Sequence, residues 1–144
     1  MSITIDIADA VVATLNAATF SQPVTAERAY LPRYELSEMQ DLRVTVVPKE
    51  MTTTTASRGA ASRDLTLDVA VQKKLGAPAG AQSEQDALME LSEEVADYLR
   101  TVALVGQAGT KWVRTEHTAI YAPEHLEQLR QFTSVVTLTY RVIK

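Results

Sequence analysis

Residues 65–72 alternate strictly, with Leu65, Leu67, Val69 and Val71 on one side and Thr66, Asp68, Ala70 and Gln72 on the other. That period of two predicts a half-buried strand with one wet face. The same alternation recurs near the end of the chain. Phe132, Ser134, Val136, Leu138, Tyr140 and Val142 form one face, and Thr133, Val135, Thr137, Thr139 and Arg141 the other. A third strand, residues 42–47, is expected to stop at Pro48, and residues 24–34 contain an extended stretch whose end Pro32 confines to an edge or an exit. A fourth strand pattern runs over 110–121. Helical spacing appears twice. Ile7, Val11, Leu15 and Ala18 mark a helix over 6–18, with Asp6 as the expected N-cap and Asp9 near its positive end. Leu88, Leu91, Val95, Tyr98 or Leu99, and Val102 mark a longer amphipathic helix, roughly 30 Å long at the usual rise. Its expected start is a capping-box spacing, Ser83 with Asp86, and its expected stop is Gly106.

Between the strands at 42–47 and 65–72 lies KEMTTTTASRGAASR, residues 49–63. Four consecutive threonines favour extended backbone, and Ser57-Arg58-Gly59-Ala60 suits a turn. The pattern predicts a long hairpin, about 43–72, with a protruding tip at 49–63. GAPAGAQ at 76–82 reads as a linker, and Ala122-Pro123-Glu124 as the start of a short helix through Gln128. Helices and strands are grouped rather than alternating, which predicts an α+β fold. The expected architecture is a mostly antiparallel or mixed sheet of four to five strands, with two helices packed on one face.

The length of 144 residues suits a single domain over 1–144 with a core of its own. Hydrophobic residues make up 46% and charged residues 22%, which argues against wholesale disorder. With no cysteine, disulfide scaffolds, thiol nucleophiles and cysteine-bearing metal sites are excluded. A net charge of −4 disfavours a nucleic-acid binder, which normally shows a basic footprint. No apolar run reaches the roughly 18 residues of a membrane span, and the N-terminal stretch lacks the basic start of a secretory signal.

Candidate chemistry is sparse. GAPAGAQ has neither of the phosphate-cradling glycine patterns, so a linker is its ordinary explanation. Glu116-His117 and Glu124-His125 repeat an acid–histidine pair, but neither has the ligand spacing a zinc site needs. Along a strand, Glu116 and His117 would point to opposite faces. No serine sits in a nucleophile elbow. The carboxylates of the longer helix suit a solvated outer face, and Trp112 and Tyr121 suit core packing or an interface. No catalytic, cofactor-binding or metal-ligating residue is assigned, and no cofactor or enzyme activity is expected.

What remains is a polar hairpin suited to contacts between chains. The leading interface candidates are Thr52, Thr53, Thr54, Thr55, Arg58 and Arg63 at its tip. Arg28 and Arg33, within Ser21–Arg33, and Lys73-Lys74 rank second; a solvated loop is the plainer explanation for each.

The opening IADAVVATLNAATFSQPVTAERAYLPRYEL, the strand LRVTVVP, the run RDLTLDVAVQKKLGAP before LMELSEEVADYLR, and the closing RQFTSVVTLTYRVI carry a resemblance. Together they resemble the tail terminator, or tail-completion, proteins of long-tailed phages, over nearly the full chain. The resemblance implies a virion protein, made in the host cytoplasm, that forms a hexameric ring at the head-proximal end of the tail. Such a ring caps the tail tube, stops polymerisation of the major tail tube protein and offers a surface to the head-closure protein. DNA passes through its lumen without specific binding, and no membrane is involved. The alternatives are a head–tail connector or neck protein of similar build, and, in different classes, a small-molecule-binding domain or a regulatory module acting on one protein partner.

Overall fold

The computed structural model describes residues 2–30, 42–74, 81–107, 109–119 and 131–143. In chain order they form α1 (Ile3–Ala17), β1 (Ala26–Arg28), β2 (Arg43–Ser57), β3 (Ala60–Lys74), α2 (Ala81–Thr101), β4 (Lys111–Ala119) and β5 (Gln131–Ile143). The strands make one five-stranded sheet in the order β1-β2-β3-β5-β4. Only β1–β2 is parallel; the other neighbours are antiparallel, so the fold is α+β with a mixed sheet.

Both helices lie against the same sheet face. Ile7, Val11 and Leu15 of α1 and Leu91, Val95 and Leu99 of α2 share one core with alternate residues of β2, β3 and β5. Rows such as Val46–Val69–Val136 and Leu67–Leu138 run across the strands through this core. The loop after α1 is tied to α2 as well. Ser21 donates to a Glu94 carboxylate oxygen from both its N–H (3.1 Å) and its hydroxyl (2.7 Å). The Phe20 ring meets Tyr98 edge-on, 5.4 Å between centroids.

Several boundaries differ from the sequence expectation, each for a physical reason. α1 starts at Ile3, capped by the Ser2 hydroxyl, which accepts from the Ile5 N–H at 3.3 Å. The β-branched Ile3-Thr4-Ile5 turn has weak helix propensity, but a serine cap compensates for it, and Asp6 sits in the first turn instead. α2 begins at Ala81, so Ser83 lies within the first turn and is not the cap. Alanine and glutamine continue a helix backwards readily. The helix ends at Thr101, short of Gly106, whose φ of +74° belongs to the turn beyond. Only Ala26–Arg28 of the 24–34 stretch is strand among the described residues.

β2 does not stop at Pro48. The strand shifts register between Pro48 and Glu50 and then continues to Ser57. β1 pairs with β2 only at Val44–Val46, so the missing Pro48 N–H breaks no described β1–β2 ladder.

The wet face is only half as expected. Toward the hairpin end Asp64 and Thr66 are partly exposed, whereas at the other end of β3 Ala70 and Gln72 are fully buried, as is Thr45 beside them. Alternation fixes which side chains share a face; it does not say whether that face is covered. The GAPAGAQ linker lies outside the described residues over 76–80, and its last two residues belong to α2. The short helix expected at 122–128 lies outside them altogether.

Candidate interaction site at the hairpin tip

β2 and β3 pair from Arg43 opposite Gln72 to Ser57 opposite Ala60, leaving Arg58-Gly59 as the connection. Gly59 has φ +87°, a left-handed conformation that a residue with a Cβ adopts only at a cost. The turn foreseen at 57–60 therefore forms where the glycine permits it.

Beyond the Pro48 bulge every β2 residue from Lys49 to Ser57 is exposed. Thr52, Thr53, Thr54 and Thr55 stand opposite Asp64, Arg63, Ser62 and Ala61. Thr53, Thr55, Ser57, Ala61 and Arg63 line an open depression of about 470 Å³ at the tip. Arg58 is exposed at the turn, while Arg63 is half-buried, its Nε shielded from solvent and without a hydrogen-bond partner among the described residues. The tip thus carries all six leading interface candidates: four threonines alternating between its two faces, one exposed guanidinium at the turn and one half-buried one.

The base of the tip is fixed by a polar ladder across β3 and β5, on the face away from the helices. Arg141 donates to Asp64 through Nε (2.8 Å) and Nη2 (3.1 Å), a two-point contact between directly opposed residues. The Arg141 hydrogen bonds hold the Asp64 carboxyl below the usual carboxylate range, against a smaller opposing effect of burial. Next along, the hydroxyls of Thr66 and Thr139 lie 3.4 Å apart. The Thr137 hydroxyl then donates to Asp68 at 2.6 Å, and Lys49 reaches the other Asp68 oxygen at 3.3 Å. Each of the β3–β5 links joins residues in direct register, so the ladder locks the strands against slipping.

The second-rank candidates are dispersed. Arg28 is engaged within the chain, donating from Nε to Asp9 at 2.7 Å, with its guanidinium 5.7 Å from the centre of the exposed Tyr30 ring. The Asp9 hydrogen bond is the main reason its pKa is raised. Lys73 pairs with Glu84 of α2 at 3.3 Å. Lys74 contributes its backbone to the β3–β5 ladder opposite Gln131. Arg33 lies outside the described residues.

The acid–histidine pairs do not gather. His117 is exposed on β4, and Glu116 pairs instead with Arg114 at 3.5 Å. Glu124-His125 and Tyr121 lie outside the described residues. Among the described residues no cluster of three or more acidic or histidine side chains could hold a metal ion. Trp112 packs against the core and donates its indole N–H to the Thr115 hydroxyl at 2.7 Å. No helix among them is long and apolar enough to cross a membrane.

Sequence reasoning missed the Asp64–Arg141 contact, because its partners are 77 positions apart and meet only once the register is set. Their mirrored places in two alternating strands were the one available signal. No protein-family model and no curated protein sequence matches this chain.

Proposed function

We propose that this chain is a structural assembly protein of the tail-terminator kind, a ring-forming subunit that caps a phage tail tube and receives the head. The observation that carries this reading is the β2 edge. Over Lys49–Ser57 it is a long, exposed strand with no pairing partner on its outer side among the described residues. Such an edge presents unpaired N–H and C=O groups to a neighbouring chain. Its base is held rigid by the β3–β5 polar ladder, so the tip projects from a fixed platform.

A ring requires head-to-tail contacts between unlike surfaces, and an exposed hairpin supplies one such surface. The net charge of −4 suits a passage through which DNA slides, because phosphate is held by clustered basic side chains. The tip depression is open and lined by small and hydroxyl side chains and Arg63, unlike the enclosed apolar clefts that take small molecules.

The test is assembly. Purified protein, alone and mixed with tail tubes of a long-tailed phage, is measured by sedimentation and by negative-stain microscopy. Rings of about six subunits, or caps at tube ends, are expected. A strict monomer at high concentration that leaves tube length unchanged would overturn the reading.

A further inference from the structure

The sheet has two open edges among the described residues. One is β2 beyond the three residues that β1 covers, and the other is β4, paired only with β5. Edge strands are usually protected by charges, prolines or bulges. From Met51 to Ser57 there is no charge and no proline, the register shifts fall at its borders (Pro48/Glu50 and Thr55/Ser57), and the whole run is exposed. Such an edge leaves backbone N–H and C=O groups open to pairing with another strand.

We infer that the free edge of β2 pairs with the β4 edge of a second copy, antiparallel, so that the sheet continues from subunit to subunit. The inference rests on the assembly reading above and adds which two edges mate. Strand direction is its first support. β2–β3, β3–β5 and β5–β4 are each antiparallel, so β2 and β4 run in opposite senses within one copy. A second copy related by rotation about a ring axis therefore presents its β4 antiparallel to β2.

Length and charge agree with this arrangement. β4 is nine residues long, the same span as Lys49–Ser57, and both strands carry register shifts that leave Arg114–Glu116 and Glu50–Thr55 as their regular stretches. Setting Thr53 against Thr115 places both on the helix-bearing face, since Thr53 stands opposite Arg63 and Thr115 opposite Leu138 in the Leu67 row. In that register Glu116 and Arg114 meet Thr52 and Thr54, so no like charges are opposed. Thr53 is level with Arg63 and Thr115 with Leu67, so each subunit steps four residues along the strands. Strands must tilt against the axis when a sheet closes on itself, and such a step produces that tilt. Pairing β2 with β2, or β4 with β4, would stop at a two-fold dimer.

The absence of cysteine makes the test direct. In the full chain, p-benzoylphenylalanine replaces Thr53; separately, Thr52→Cys and Glu116→Cys are made singly and together. Irradiation is expected to yield adducts from position 53 to residues 111–119 of another copy. Oxidation of the double variant should give a ladder of covalent multimers, and a mixture of the two single variants only covalent dimers. If rings form but the adducts fall within 49–57 or elsewhere, or the Thr52→Cys variant alone cross-links, the edge pairing is overturned while the assembly reading survives. Protein that stays monomeric with and without tail tubes overturns both.

Discussion

The Tyr140 hydroxyl, on β5, donates a hydrogen bond to the Leu99 carbonyl in the last turn of α2, 3.2 Å away. That carbonyl is one of the four that a helix end leaves without an intrahelical donor. Tyr140 is 1% exposed and its burial pushes its pKa well above the usual tyrosine value. Replacing it with phenylalanine keeps the ring packing and leaves the carbonyl without its donor. Tyr140→Phe should cost about 1–3 kcal/mol in urea unfolding. The pH dependence should change too. Because the folded pKa is raised, the neutral hydroxyl's contribution is complete below the unfolded value of about 10 and is lost as pH rises beyond it. Above that pH the wild type should lose stability more steeply than Tyr140→Phe.

Gln72 leads to a prediction of the opposite sign. It is fully buried, and among the described residues neither its amide nitrogen nor its amide oxygen has a hydrogen-bond partner. Burying an unsatisfied amide is unfavourable, and methionine has nearly the same shape without that cost. Gln72→Met should stabilise the protein by about 1–3 kcal/mol, read as a higher urea midpoint at unchanged slope. A lower midpoint would mean that the amide has a partner in solution, such as a trapped water.

The two cases separate what the sequence carries from what it does not. Alternation along 65–72 and 132–142 placed Leu67, Val69, Val136 and Leu138 on one face, and the helical stripes placed Val11, Leu15, Leu91 and Val95 above it. These are local periodicities, and period alone reveals them. Polarity alone marks Gln72 as a surface residue, whereas what covers a face is a matter of tertiary packing. The parallel pairing of Ala26–Arg28 with Val44–Val46, and the run of β2 past Pro48, likewise depend on neighbours that local pattern does not specify. At the candidate site, the Thr52–Thr55 run and the Ser57–Ala60 turn were legible from composition, but the Arg141 anchor beneath them needed the register.

Asp64 and Arg141 predict an acid sensitivity. The folded Asp64 pKa is lowered, chiefly by the Arg141 hydrogen bonds. Its contribution to stability is therefore present above the unfolded carboxylate value, about 3.9, and is lost as pH falls through the folded value. Asp64→Asn should remove that part of the acid dependence, with melts converging on wild type at the lowest pH. The pair is solvent-accessible, so salt should shrink the difference as well. A difference between the two proteins that is constant from pH 2 to 7 would contradict the role assigned to the pair.

The hairpin tip is predicted to be separable from the fold. Thr52 and Asp64 stand directly opposite each other, so Thr53–Arg63 can be replaced by Asn-Gly, a two-residue link suited to joining facing strands. The excision spares the Asp64–Arg141 and Asp68–Thr137 contacts and the core rows from Leu65 to Val71. It removes Thr53, Thr54, Thr55, Arg58 and Arg63, and with them most of the free β2 edge. Circular dichroism should report native secondary structure apart from the lost strand ends, and thermal unfolding should stay cooperative. Sedimentation should show a monomer at every concentration, and mixtures with tail tubes should show no capped ends. A shortened chain that still assembles would move the interface away from the tip. One that fails to fold would show that the tip residues contribute to the core, against their exposure from Lys49 to Gly59.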